Sequence, residues 1–355
     1  MKPKRRLLDL KKNGYTAAIS GIFLFVVFYL FSGEFLQGFK AGLLNCAEIV
    51  IPSLFPFLAA ASLAGAGEMP KCLKKIISPV TELVFRLPAD SLAAIVLGQL
   101  GGYLSGAKAA DSLLRRGAVT EAQAERILLF CVNPGLGFTV NAVGFGLLGS
   151  REAGKILLLS VCVSSLILGT VAGFFSESEQ VKRNIEPKPE PFSAAVVNSV
   201  ASSAAAMLSV CAFVAVFSGI NAIFAKTIKN QTVLLALSCL SEVTSGCAAA
   251  AGQVSLPVTA AVCAFGGICV HLQIFSLSGK LKINYAKFYL FRILHAALSF
   301  LICSAALHIH PLSRQTSLSV AENAAPWSFS APAAISLLFL CALLILDLDN
   351  ARKIC

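Results

Sequence analysis

Residues 98–114, GQLGGYLSGAKAADSLL, decide how this chain is read. Gly98, Gly101, Gly102, Ser105, Gly106 and Lys108 all fall within eleven positions. Glycine loses much backbone entropy on ordering, and a lysine is costly in apolar surroundings. Such a run makes a poor helix and a poor strand. Apolar sequence flanks it on both sides, so its tolerance must come from where the fold puts it.

The surrounding composition says where that is. The chain has 355 residues, of which 57% are hydrophobic and 13% charged, with a mean hydropathy of +0.79. Soluble domains carry about 25% charged residues. Several apolar runs reach about 18 residues or more, enough to cross a hydrocarbon core ~30 Å thick. The fold class expected is an all-α polytopic membrane protein with the lipid bilayer as its first partner. A net charge of +11 does not point to nucleic acid. The basic residues sit in short clusters beside apolar runs, not on one aromatic-studded face. Most of the twelve cysteines lie in apolar stretches, as Cys131, Cys162, Cys211, Cys263, Cys303 and Cys341 do. None forms a CxxC pair and no Cys/His cluster has zinc-ligand spacing, so neither metal, cofactor nor disulfide is expected.

A basic leader, MKPKRRLLDLKK, precedes the apolar run YTAAISGIFLFVVFYLF, which is read as an uncleaved first span. Further spans are expected at 41–66, 127–149, 153–175, 193–224, 254–279, 287–308 and 331–348, making eight. Two apolar segments, 90–114 and 233–252, are broken by Gly and Ser. They are expected to be re-entrant hairpins, which must be buried in protein or line a cavity. With the N-terminus in the cytoplasm, this layout puts 22 Lys/Arg inside and six outside, with Arg292 within a span. That asymmetry is the positive-inside pattern, and it places both termini in the cytoplasm. Counting either hairpin as a full crossing would spoil it. The organisation expected is a leader and first helix (1–37), a first repeat (38–175) and a polar cytoplasmic linker (176–191). A second repeat (192–308), then an external loop with the last helix (309–355), complete it.

The repeat rests on residues. LGGYLSGAKAA (100–110) aligns without gaps on LSEVTSGCAAA (240–250), matching Leu, Ser-Gly and Ala-Ala. Asn45 corresponds loosely to Asn198, and CVNPG (131–135) to CAFGG (263–267). Each unit would comprise a span, a hairpin and two more spans. Three crossings are odd, so the second unit would lie upside down relative to the first. Inverted repeats with broken helices near the midplane are the build of secondary transporters.

These same residues resemble a known family. GGYLSGAKAADSLLRRGAVTEAQAERILLFCVNPG, SEVTSG and GGICVHLQIF look like the sporulation integral membrane protein YlbJ family. That family carries the nucleoside-recognition Gate domain, related to concentrative nucleoside transporters. The likeness covers about residues 38–308, and the ordered pair G-Y-x-x-G-A-K and E-x-T-x-G carries it. It implies a role in endospore formation, with dipicolinic acid as the solute moved across a forespore membrane. A nucleoside or related metabolite is the alternative solute, and a non-transporting sporulation scaffold the alternative role.

The candidate site residues follow from the breaks. Gly101, Gly102, Ser105 and Gly106 would form the first re-entrant turn. Lys108 would be a counter-charge for an anionic solute, or a lysine reaching the cytoplasmic interface. Glu242, with Thr244, Ser245 and Gly246, would form the second turn. An ionisable group at membrane depth marks a site by default, and Glu242 could take a coupling proton or sodium ion, pair with Lys108, or sit at the outer headgroups. Asn133 and Asn141 lie on a span interrupted by Pro134-Gly135, where proline breaks the helix and frees a carbonyl. His271 and Gln273 could both face a cavity only if the helix unwinds after Gly266-Gly267; otherwise His271 is a packed, hydrogen-bonded side chain. Arg292 and His295 are read as helix anchors. No HExxH, GxSxG or paired acids are present, so an enzyme is not expected. No GxxxxGK[ST] stands in the sequence, and self-association into a homo-oligomer stays open.

Overall fold

The computed structural model describes residues 3–66, 71–176, 192–277 and 281–312. Most of the expected linker, the external loop past residue 312, the span at 331–348 and the C-terminus lie outside the described residues. Every described element is helical. The first half runs α1 (Pro3–Leu30), α2 (Ser32–Asn45), a π-helical segment (Cys46–Val50), α3 (Ile51–Ala66), α4 (Lys71–Val84), α5 (Ser91–Leu100), α6 (Tyr103–Arg115), α7 (Glu121–Phe130), a second π-helical segment (Gly137–Leu147) and α8 (Arg151–Phe174). The second half runs α9 (Phe192–Thr227), α10 (Gln231–Ser241), α11 (Val243–Ala250), α12 (Leu256–Phe265), α13 (Gly267–Leu277) and α14 (Tyr285–Ile309).

Among the described residues, five helical segments are long and apolar enough to cross a membrane: Ser32–Ala60, Arg151–Phe174, Ala194–Thr227, Leu256–Ser276 and Tyr285–Ile309. This corrects the expected eight. The run at 127–149 is not one span but α7 and the second π-helical segment, separated by the non-helical residues 131–135. Proline inside that run removes a helix donor and clashes with the preceding turn. The apolar part of α1 is the short helix stretch Ala18–Leu30.

Small residues set the helix packing. Gly38 and Gly42, four apart on α2, meet Ala215, Ser218 and Gly219 of α9 so closely that a Cβ on either glycine would collide. Close backbone approach through small residues is how membrane helices gain dispersion contact where no hydrophobic force drives them together. The C-terminal half of α7 is deeply enclosed, with Ile127, Leu128, Leu129 and Phe130 at most 1% exposed. Its N-terminus is closed by a capping box between Thr120 and Gln123, which satisfies two orphan donors reciprocally. Large apolar side chains such as Ile22, Phe25, Leu159, Ile293 and Leu301 face outward, as a lipid-contacting surface requires.

Both suspected hairpins close on themselves. Gly98 and Gly106 both abut Cys131, although eight positions of straight helix would part them by about 12 Å. Across the second break, the Cys239 thiol donates to the Gly246 carbonyl at 3.6 Å. A continuous helix would separate those two residues by about 10 Å.

Candidate functional site

The first break is made by Gly102, whose φ of 99° is a conformation L side chains rarely adopt. It ends α5 and starts α6. The second break falls at Glu242, which is extended (φ −148°, ψ 126°) between α10 and α11. In the ungapped alignment Gly102 stands opposite Glu242, so the two aligned segments break at the same position. Glu242 is 1% exposed, and its carboxylate caps α11. Oε1 accepts from the Thr244 N–H at 2.8 Å and Oε2 from the Ser245 N–H at 2.6 Å. A carboxylate on free helix N–H groups makes charge-assisted bonds and complements the helix dipole. Gly246 lets this arm fold back, since a Cβ there would press on the Cys239 backbone.

Two further breaks face the hairpins. Residues 131–135 lie against the first tip, with Gly135 packed on the backbone of Leu100, Gly101 and Gly102. Gly106 gives room to the Cys131 carbonyl, and Ser105 donates to the Gly101 carbonyl at 2.8 Å. The other break is Gly266 and Gly267, with φ of 87° and 77°. Gly266 lies under the Tyr103 ring, and Gly267 lies against the Glu242 backbone. The Tyr103 hydroxyl donates to the Cys263 carbonyl at 2.6 Å, where α12 is about to end. The two tips thus meet the same interrupted helix at adjacent residues.

Asn133 is fully buried, and its Nδ2 lies 3.0 Å from the Phe130 carbonyl, 3.0 Å from Gln99 Oε1 and 3.1 Å from Ser165 Oγ. It ties the open end of α7 to α5 and α8. Arg292 closes the same end: one Nη donates to the Leu129 carbonyl and the other to the Val132 carbonyl. His295 Nε2 donates to the Val161 carbonyl at 3.0 Å, so both residues anchor α14 to its neighbours.

The remaining candidates scatter. Lys108 is half-buried and donates to Ser202 Oγ at 3.2 Å and Ser203 Oγ at 3.4 Å on α9. Ser202 in turn shares a hydrogen bond with Ser62 of α3 at 3.1 Å. Among the described residues no carboxylate lies within ion-pair distance of Lys108. Asn141 sits apart, in a cavity beside Glu48. The chain resumes as a regular helix at Gly267, so His271 and Gln273 project about 200° apart. His271 Nε2 donates to the Phe265 carbonyl at 2.8 Å, and its ring packs edge-on against Phe265, Phe288 and Tyr289. Gln273 Nε2 donates to Cys269 Sγ at 3.2 Å. Sequence reasoning missed Tyr103 and the hydroxyls of Ser165, Ser202 and Ser203. The serine pairs in VSS and ASS, inside apolar helices, were the available signal.

Five long apolar helices with outward-facing apolar side chains define an integral membrane protein. Among the described residues no three His, Cys, Asp or Glu side chains gather as a metal site would require. Among curated proteins, the sporulation integral membrane protein YlbJ of Bacillus subtilis (strain 168) is similar: 25% identical over 179 residues, 50% of this chain and 44% of the relative. The match therefore spans less than half of that relative. No family model matches, and no solved structure does. The chain is a membrane protein distantly related to a sporulation membrane protein.

Proposed function

We propose that this protein is a secondary transporter that moves a small anionic metabolite across a membrane by alternating access. The observation that carries the proposal is the meeting of both hairpin tips on Gly266 and Gly267, through Tyr103 and Glu242. Broken helices put unpaired backbone groups near the midplane, where they can exchange water for a solute. In this reading the two halves are inverted units. The first tip (Gly101, Gly102, Ser105, Gly106) enters from the cytoplasm and the second (Thr244, Ser245, Gly246) from outside. Asn133 and Arg292 hold the frame against which they move.

Lys108 supplies the charge. Its ammonium is matched only by hydroxyls among the described residues, which solvate a cation without neutralising it, and a carboxylate solute would complete the set. Dipicolinate, a small aromatic dicarboxylate, suits that chemistry, and a forespore membrane suits the relative's printed name. The test is uptake of labelled dipicolinate, with nucleosides in parallel, by protein reconstituted in liposomes. Lys108→Met should weaken uptake about 10- to 100-fold, the worth of one charge-assisted hydrogen bond, while Lys108→Arg retains part of it. Folded wild-type protein that neither binds nor moves any of these solutes would leave the scaffold role in its place.

A further inference from the structure

A cavity of about 290 Å³ lies where two of the candidate spans stop, between α7, the end of α8 and the start of α14. Phe174 closes the span on α8, and Tyr285 opens the one on α14. Tyr285 is exposed, and a tyrosine at a span end marks the level of the lipid headgroups. The lining is of two kinds: Val171, Phe175 and Phe291 are apolar, while Arg126, Ser176 and Lys287 are polar.

Two guanidinium groups converge on Ser176. Arg126 is buried; one Nη donates to the Ser176 hydroxyl and the other to the Arg86 carbonyl at 2.6 Å. Arg86 donates to the Ser176 carbonyl at 3.2 Å and to the Phe174 carbonyl at 3.3 Å. Among the described residues no carboxylate lies within ion-pair distance of Arg86. Its backbone is left-handed, with a φ of 50°, the only non-glycine among the described residues to be so. That conformation is strained for a residue with a Cβ, and such strain recurs at ligand clamps. Lys287 adds a third cation, 4.0 Å from Glu125, whose other oxygen accepts from the Asn284 N–H at 3.0 Å. A neighbouring pair, Lys282 and Glu121 at 3.4 Å, adds no net charge. Three cations thus gather around one carboxylate. An excess of positive charge calls for an anion, and guanidinium forks match the oxygens of a phosphate. The apolar lining decides which phosphate. Val171 and Phe175 remain exposed beside the cavity, as do Leu290 and Ile293 on α14. A phosphate ion would leave these side chains bare, whereas a phospholipid covers them with its acyl chains. Basic pockets between membrane helices hold anionic headgroups in this way.

We propose that Arg86, Arg126 and Lys287 bind the phosphodiester of an anionic phospholipid, whose acyl chains lie on Val171, Phe175 and Phe291. The site is apart from the hairpin tips and does not rest on the transport reading. The full-length protein in detergent micelles is given phosphatidylglycerol with a photoactivated diazirine on its headgroup, and the adducts are located by peptide mass spectrometry. They should concentrate on peptides holding residues 122–126, 171–176 and 287–291. Unlabelled phosphatidylglycerol should displace the probe at least about tenfold more effectively than phosphatidylcholine with the same chains. Lys287→Gln and Arg86→Gln should each weaken capture about tenfold or more, and the wild-type competition carries the result even if a variant does not fold. Inorganic phosphate that displaces the probe as well as phosphatidylglycerol does would assign the cavity to a free ion. Adducts displaced equally by phosphatidylcholine, or spread along every lipid-facing helix, would make the contact unselective. Either outcome overturns the proposal, and neither bears on transport, since no solute is present.

Discussion

Arg292 shows how much one side chain can hold in this molecule. Among the described residues it is the largest fully buried side chain, and it donates to the Leu129 carbonyl in the last turn of α7 and to the Val132 carbonyl just past its end at Phe130. A helix end buried without partners is unstable, and here α14 reaches across to supply them. Arg292→Met should leave two carbonyls unpaired at about 1–3 kcal/mol each and lower the thermal unfolding temperature of the detergent-solubilised protein. Arg292→Lys, with a single ammonium in place of a two-armed guanidinium, should recover part of the loss. An Arg292→Met protein as stable as wild type would remove Arg292 as the closure of α7. The expectation that Arg292 anchors helices was legible because an arginine inside an apolar run must have partners. Which carbonyls it serves was not, since Leu129 and Val132 lie some 160 residues away in the chain.

At the level of elements, glycine and proline announced the breaks at Gly102, residues 131–135 and Gly266, because those residues disfavour continued helix wherever they stand. The break at Glu242 was legible from the Ser and Gly inside 233–252 and from its alignment with Gly102. Length misled at 127–149, where the interruption at Pro134-Gly135 ends the helix outright and leaves two short elements in place of one span. The π-helical segments left no mark, since a wider turn changes hydrogen-bond register and not composition. α4 was also unforeseen as a helix. Its exposed face carries Cys72, Ile76, Val80 and Leu83 in one stripe, with the exposed Lys75 at its edge. An apolar stripe edged by a lysine suits a helix lying in the headgroup region. A fluorophore on the exposed Cys72 should shift to the blue in vesicles and be quenched by bromine-labelled lipid chains. Replacing Ile76, Val80 and Leu83 by Ser should reverse both effects, since each apolar side chain contributes about 1.5–3 kcal/mol of burial. Emission unchanged on adding lipid would place this face elsewhere.

For the molecule as a whole, movement and rigidity meet at one pair of sulfurs. The thiols of Cys247 on α11 and Cys263 on α12 lie 3.6 Å apart, and both are buried. They join the second hairpin to the interrupted helix against which, in the transport proposal, it moves. Mild oxidation by a copper–phenanthroline complex should convert the pair to a disulfide with loss of two hydrogens, read by peptide mass. Flux should then fall at least about tenfold and return on reduction, as expected for a step that needs the two parts to separate. Full flux in the cross-linked protein would show that these two elements travel together.

The 36 residues of α9 also bear on the second half of the chain. At 1.5 Å per residue that helix is about 54 Å long, and even a tilt of about 40° leaves it about 41 Å tall against ~30 Å of hydrocarbon. At least one end must therefore stand clear of the greasy layer, like a post set too deep for its wall. The overhang stands among the headgroups, a fixed helical stub outside the hydrocarbon.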